Sequence, residues 1–332
     1  MNDGASTTDW LGRTRRDEDE ITLGAAQRLA ATLDQDPAML RRGGELPESW
    51  YAILFGPVAL ERTLGPDGHA ETGDFLPPLH GTRRMFAGRR TTFLKPLKIG
   101  DMVSRVSTVT RVESKTGRTG AFTLVTVTHE ISGPSGHALT EEQDLVYRAA
   151  VEAGATAPQR EAAPVADTPA WSRPIDLDPV LVFRYCALTF NAHRIHYDLP
   201  YARDIEGYPA LVMNGGLTAL LLIETARPHL PHPIATCAIR AISPLFVGQR
   251  VAFNGRLAGD TAALWASGPG GGLAYRVDVT LAGGLRRRRH QGGGAKRRPL
   301  AHHRRPVEQR RTVRQVHAFQ PQQALAGARN ES

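Results

Sequence analysis

"FLKPLKIGDMV" at residues 93–103 and "AISPLFVGQRV" at residues 241–251 share one skeleton: Pro-Leu, a Gly three residues after the Leu, and a Val three further on. Pro96 matches Pro244, Gly100 matches Gly248 and Val103 matches Val251, each at an offset of 148. The common physical need is a strand that enters, turns sharply at Pro and Gly, and resumes as the next strand. The flanks match too, with a helical stretch before each copy and strand-like segments after it. We therefore read an internal duplication rather than a chance similarity of two turns.

In the first copy, "ITLGAAQRLAATLD" (21–34) starts at a Thr22 cap and carries apolar residues at helical spacing. "PESWYAILFGPVALERTLG" (47–65) is expected to be a second, more apolar helix with a kink at Gly56-Pro57. Segments beginning "RRMFAGRRTTF", "DMVSRVSTVT", "AFTLVTVTHE" and "HALTEEQDLVY" alternate polar with β-branched residues and are separated by turn residues, which describes an antiparallel meander. After an Ala/Pro-rich stretch, "GGLTALLLIETAR" (215–227) is apolar on nearly every face and is expected to be a buried helix. Strands follow it at "TCAIRAISPLF", "QRVAFNGRLAG", "AALWASG" and "LAYRVDVTLAG". The class is α+β. Two copies of a curved antiparallel sheet wrapped around a central helix resemble a tandem, or double, hot-dog fold. The expected organisation is a first hot-dog domain over 9–150, a linker over 151–175, a second over 176–284, and a tail over 285–332.

The chain has 332 residues and a formal net charge of +8. Thirteen of its 41 basic residues lie from Arg286 onward, against two acidic ones, so residues 1–285 hold 28 basic and 31 acidic residues. The body is mildly acidic, which excludes reading it as a nucleic-acid binder. The tail, rich in Arg, Gly, His and Ala and without apolar periodicity, is expected to be disordered, and its composition fits an accidental extension better than a nucleic-acid tether. No secretory leader is read at the start, and the longest apolar run is too short for a bilayer, so a cytoplasmic protein without membrane association is expected. Cys186 and Cys237 have no metal-ligand spacing and are expected to be reduced thiols.

Chemistry concentrates in "FRYCALTFNAHRIHYD" (183–198), followed by "EGYPALVMNGGLTALLL" (206–222). This pair resembles the double hot-dog branch of the MaoC-like R-specific enoyl-thioester hydratases and dehydratases. The closest group contains mesaconyl-CoA and itaconyl-CoA hydratases and mitochondrial-type hydroxyacyl-thioester dehydratases. The resemblance extends to "DWLGRT" (9–14) and "FAGRRTTFLKPLKIGD" (86–101) and covers roughly residues 9–282. The wider family's motif is an Asp, four residues and a His, then a His-Gly opening the central helix. His196 matches the catalytic histidine, Asp198 a frequent acidic residue two beyond it, and Asn214-Gly215 the His-Gly. The aspartate position holds Asn191. The resemblance implies reversible addition of water to a 2-enoyl-CoA, or dehydration of a 3-hydroxyacyl thioester, with no cofactor. Its implied partner is an acyl-CoA or acyl-carrier-protein thioester, and a homodimer is compatible with it.

The residue types fit that chemistry. Hydration needs a base for water, a proton for Cα, and donors for the enolate-like oxygen. A neutral His196 suits the base. Asn214 is a good N-cap, and Gly215-Gly216 leave helix N-terminal N–H groups open to a carbonyl. Asn191 can orient water or the thioester oxygen but cannot ionise, so either His196 serves as both base and acid, the favoured reading with Asn191 as orienter, or Asp198 or His193 takes part. His193 stands between bracing the loop and taking part, and Asp198 reads as a local cap or ion-pair partner. Arginines 83, 84, 89, 90 and 184 offer partners for CoA phosphates or for a dicarboxylic acyl group, but no spacing singles them out and their expected place is a solvated strand face. "LHGTRRMFAG" in the first half offers no comparable acid/base pair, so the first half is expected to shape the acyl pocket. Two other activities fit the same fold: a non-catalytic acyl-thioester binding module and a hot-dog thioesterase.

Overall fold

A computed structural model describes residues 7–79, 81–117, 120–149, 165 and 167–283; the expected tail and most of the expected linker lie outside them. The alternating segments form strands where their pattern predicts: β2 (Thr82–Phe93), β3 (Met102–Gly117), β4 (Gly120–Gly133) and β5 (Gly136–Ala149) in the first half. In the second half they are β7 (Ile234–Ala241), β8 (Arg250–Ala258), β9 (Thr261–Ser267) and β10 (Leu273–Leu281). Two further strands carry no alternation to announce them. β1 (Thr14–Glu20), sequence TRRDEDE, pairs with β3, and β6 (Trp171–Asp176), inside the expected linker, pairs with β8. Both lie at edges, where one face can stay wet and charge protects an unpaired backbone.

The ten strands make one antiparallel sheet in the order β1-β3-β4-β5-β2-β7-β10-β9-β8-β6. Each half repeats the other about the central β2–β7 ladder, which runs from Gly88 opposite Arg240 to Thr92 opposite Thr236. The duplicated turns are equivalent in detail. Gly100 (φ 101°) donates its N–H to Ile21 C=O at 2.7 Å, and Gly248 (φ 90°) donates to Leu177 C=O at 2.7 Å. Each carbonyl ends an edge strand, and a capped helix follows each: α1 (Leu23–Thr32) on Thr22, α2 (Pro179–Leu188) on Asp178.

The halves differ at the central helix. α3 (Gly215–Ala226), capped by Asn214, has eight buried residues and packs on β8, β9 and β10. Leu46 N–H bonds Leu97 C=O as Met213 N–H bonds Leu245 C=O, which makes Glu48 the counterpart of Gly215. Here the expected 47–65 helix is corrected. The chain forms a 3-10 segment, Glu48–Ile53, then leaves through Phe55 (φ 58°) and Gly56-Pro57. Proline lacks an N–H and pushes the preceding residue out of the helical region, so the helix stops. Glu224 of α3, its side chain 6% exposed, ties the two helices together by accepting from Gln35, Ser49, Trp50 and Arg227. One apolar core joins α1 and α3 to the sheet through Leu29, Val103, Ile131, Leu139, Leu220, Phe253 and Leu264.

The matched positive φ values give a test of the duplication. Gly248→Ala, whose new Cβ meets nothing within 4 Å, carries only the backbone strain, about 1–3 kcal/mol. Gly100→Ala is expected to cost a similar amount, read as matched losses in thermal unfolding midpoint.

Candidate active site

The histidine-rich loop is built by a helix that is forced to end. α2 closes with Phe190 in the left-handed region (φ 50°), and Asn191 N–H returns to Cys186 C=O at 2.8 Å. Asn191 Oδ1 then accepts from His193 N–H at 2.9 Å, a local turn that launches the 3-10 turn Arg194–His196. Asp198 accepts from the Arg194 guanidinium at 2.7 Å and from Tyr201 N–H at 3.1 Å. Its carboxylate braces the loop and is not among the residues lining the adjacent cavity.

His196 is buried, and its Nδ1 lies 2.8 Å from Val212 C=O. A carbonyl only accepts, so Nδ1 carries the proton and Nε2 is left as the basic nitrogen. Asn214 Nδ2 sits 3.5 Å from that Nε2, while Asn214 Oδ1 accepts from Gly216 N–H at 2.9 Å and Leu217 N–H at 3.3 Å. Burial lowers the His196 pKa to about 4, so the ring is neutral at physiological pH. Gly216 N–H is therefore occupied by its own cap, whereas Gly215 N–H has no partner among the described residues. Two phenols explain the paired glycines. A Cβ on Gly215 would collide with the Tyr275 hydroxyl, and one on Gly216 would lie 2.8 Å from that of Tyr185. Burial raises both phenol pKa values, that of Tyr185 to about 12, so both remain protonated donors. Cys186 is pushed up to about 11 and Cys237 to about 12, also by burial, and both are free, unreactive thiols.

The first half contributes chemistry that its sequence did not announce. Asp67 Oδ2 pairs with His69 Nδ1 at 2.8 Å, and Asp67 C=O accepts from Arg194 N–H at 2.9 Å. Gly68 between them has φ 86°, and a Cβ there would collide with Ala192 C=O. The His69 ring lies 4.1 Å from that of His193, which meets His196 edge-on at 5.5 Å. Burial would raise the Asp67 pKa, but its hydrogen bonds with His69 outweigh it and hold it low. Burial keeps His69 and His193 neutral. One ligand atom from each of Asp67, His69 and His193 lies within 4.8 Å of the others, a residue set that transition metals accept. The only legible hint of this pair was the turn-forming "PDGH" at 66–69.

These groups line one cavity of about 1800 Å³, walled by both halves. Asn191, His193, His196, Asn214, Gly215 and Gly216 all line it, as do Asp67, His69, Tyr185 and Tyr275. Of the arginines expected on a wet strand face, Arg90 meets that description, pairing with Glu142 and Asp144 at the surface, and Arg184 is exposed but on α2; Arg83, Arg84 and Arg89 line the cavity. No helix among the described residues is long and apolar enough to cross a membrane.

Residues 50–247 match the family described as hydroxyacyl-thioester dehydratase type 2. The chain is 43% identical over 277 residues to mesaconyl-C(4)-CoA hydratase of Chloroflexus aurantiacus, covering 82% of this chain and 97% of that protein. Among solved structures it resembles a MaoC-like dehydratase from Phytophthora capsici (TM-score 0.65, 11% identity, 86% of this chain and 100% of that one). It also resembles HtdX of Mycobacterium tuberculosis (TM-score 0.58, 18% identity, 81% and 100%). At these identities the structures speak to the fold, and they agree with the hot-dog reading.

The buried neutral imidazole makes a pH prediction. A histidine whose folded pKa is depressed gives stability that is complete above its unfolded value near 6.5 and is lost as pH falls toward about 4. His196→Gln removes that titration. It should flatten the pH dependence of the unfolding free energy between pH 6.5 and 4 by roughly 3 kcal/mol, measured by denaturant titration at each pH.

Proposed function

The chain belongs to the hydroxyacyl-thioester dehydratase type 2 family, and from that premise we propose that His196 is the base with which it adds water to, or takes water from, an acyl-CoA thioester. It is an acyl-thioester hydratase/dehydratase. The observation that carries the residue assignment is the His196 Nδ1–Val212 carbonyl hydrogen bond, which leaves Nε2 as the proton-accepting atom beside the start of α3. In the hydration direction Nε2 takes a proton from water as its oxygen bonds to Cβ. The electron pair of the 2,3-bond moves toward the thioester oxygen, and the resulting imidazolium returns the proton to Cα. Gly215 N–H, at the positive end of α3, and the Tyr185 and Tyr275 hydroxyls are the donors in range of the developing enolate oxygen. Asn214 acts by capping α3 and holding Nε2 in place. Asn191 acts through the turn that sets His193.

The carboxylate absent at position 191 comes from the other half. Asp67 is ionised and separated from His196 by the His69 and His193 rings, so its charge favours the transient imidazolium. In this reading the second half carries the proton transfer, and the first half shapes the acyl pocket and supplies this charge. Mesaconyl- and itaconyl-type CoA thioesters are the first substrates to try.

Absorbance of the enoyl-thioester chromophore tests the reaction. Loss of absorbance with the thioester intact is hydration; release of free thiol would indicate a thioesterase, and no change a binding protein. His196→Ala should lower turnover by at least about 10³-fold; near wild-type turnover refutes the assignment. Asp67→Asn keeps the turn to His69 N–H but loses the charge. It should reduce kcat by roughly 10–100-fold with KM within about two-fold, and unchanged kcat removes Asp67 from the mechanism.

A further inference from the structure

Two loops from opposite halves of the chain meet beside His196, and both are fixed by their backbones. In the first, Asp67 Oδ1 accepts from His69 N–H at 2.9 Å, and Gly68 at φ 86° packs the turn against Ala192 C=O. In the second, Asn191 Oδ1 holds His193 N–H at 2.9 Å. Arg194 N–H, bonded to Asp67 C=O at 2.9 Å, ties one loop to the other. The side chains left over converge. Asp67 Oδ2 stands 2.8 Å from His69 Nδ1, and the His69 and His193 rings lie 4.1 Å apart, tilted by 43°. One donor atom from each of the three residues lies within 4.8 Å of the others. Among the described residues, no hydrogen bond holds either ring nitrogen of His193.

Donors that bind one zinc ion at about 2 Å in a tetrahedron stand roughly 3.3 Å apart. Asp67 Oδ2 and His69 Nδ1 are already inside that separation. An ion therefore takes the place of the hydrogen between them with a small spreading of the pair, and the neutral ring carries its one proton on Nε2. His193 completes the set by turning its ring. Two imidazoles with one carboxylate suit zinc, cobalt or iron, whereas magnesium and calcium ask for oxygen donors. All three residues line the cavity, so water fills the fourth position. Arg84 is a cation that acts on both rings, and Glu206 opposes it at His69. The His193 ring meets His196 edge-on at 5.5 Å. A dication held by His193 opposes the imidazolium that His196 must become, and it cancels the Asp67 charge that favours it.

We infer that Asp67, His69 and His193 form a binding site for one divalent transition-metal ion of the zinc class, and that filling it stops proton transfer at His196. The metal site stands independently of the reaction; the inhibition rests on the hydratase reading above. No electron is transferred on binding: the carboxylate and two imidazole lone pairs replace water on the ion.

The test is calorimetry on the full chain, freed of metal by a chelator and titrated with Zn2+, with Mg2+ as the control. The wild-type protein should take up one tightly held equivalent at a Kd of about 1 μM or below, and Mg2+ should not compete for it. Asp67→Asn and His193→Gln should each weaken that site by at least about 100-fold, more than is lost when a residue that only orients a ligand is changed. They lie on separate loops, so one answers if the other unfolds, and weaker binding by other histidines cancels in the comparison. Zn2+ should also inhibit wild-type hydration with its midpoint at the calorimetric Kd, and chelator should relieve it. Absence of a tight Zn2+ site in the wild type, or a tight site that survives both substitutions, overturns the metal site. A filled site with full turnover overturns the inhibition and leaves the hydratase reading standing. A metal-free protein that hydrates no thioester, yet holds Zn2+ through Asp67 and His193, overturns the hydratase reading and keeps the metal site.

Discussion

The β2–β7 ladder is the constraint on which the rest of the molecule depends. Five residue pairs, Gly88 with Arg240 through Thr92 with Thr236, splice two five-stranded sheets into one. The ladder turns both concave faces toward a common interior. Without it the histidine loop of the second half would have no opposing wall, and Asp67, His69 and Arg89 would belong to another body. A backbone ladder is indifferent to side-chain identity. The two inner faces were therefore free to diverge while their register held.

They diverged at the central helix. In the second half α3 runs twelve residues and opens on an asparagine cap and two glycines. In the first half the equivalent stretch ends after six residues, before Gly56-Pro57. One duplication thus yields one complete helix N-terminus, facing a half whose interior is not filled by its own helix. The space left is the cavity, and the shortened helix supplies Tyr51 to its wall.

Burial then sets the chemistry. Removing His196, His193 and His69 from water disfavours their charged forms, so three adjacent imidazoles stay neutral without repelling one another. The same desolvation keeps Tyr185 and Tyr275 protonated as donors. It makes the Arg89–Glu141 pair costly to break, because either partner left alone would be an uncompensated buried charge. Such an ion pair adds little to stability over apolar packing.

Much of this was legible in the chain. Polar and β-branched alternation located the four meander strands of the first half, the repeated plan located four more in the second, and the all-apolar "LTALLLI" located the buried helix, because these patterns depend on neighbours along the chain. His196, Asn191 and the Asn-Gly-Gly cap could be read for the same reason, since a loop closed by Asn191 on His193 and a helix start are local structures. The edge strands β1 and β6 were hidden, because pairing on one side demands no apolar alternation. What the sequence by itself determined is a duplicated sheet with a histidine loop and one capped central helix, all products of short-range spacing. Only the tertiary structure decided that Asp67 and His69 stand beside that loop, that Tyr275 meets Gly215, and that Arg89 faces inward. Those contacts join residues many tens of positions apart, and their proximity is set by the ladder that joins the halves and by the place where the first helix stops.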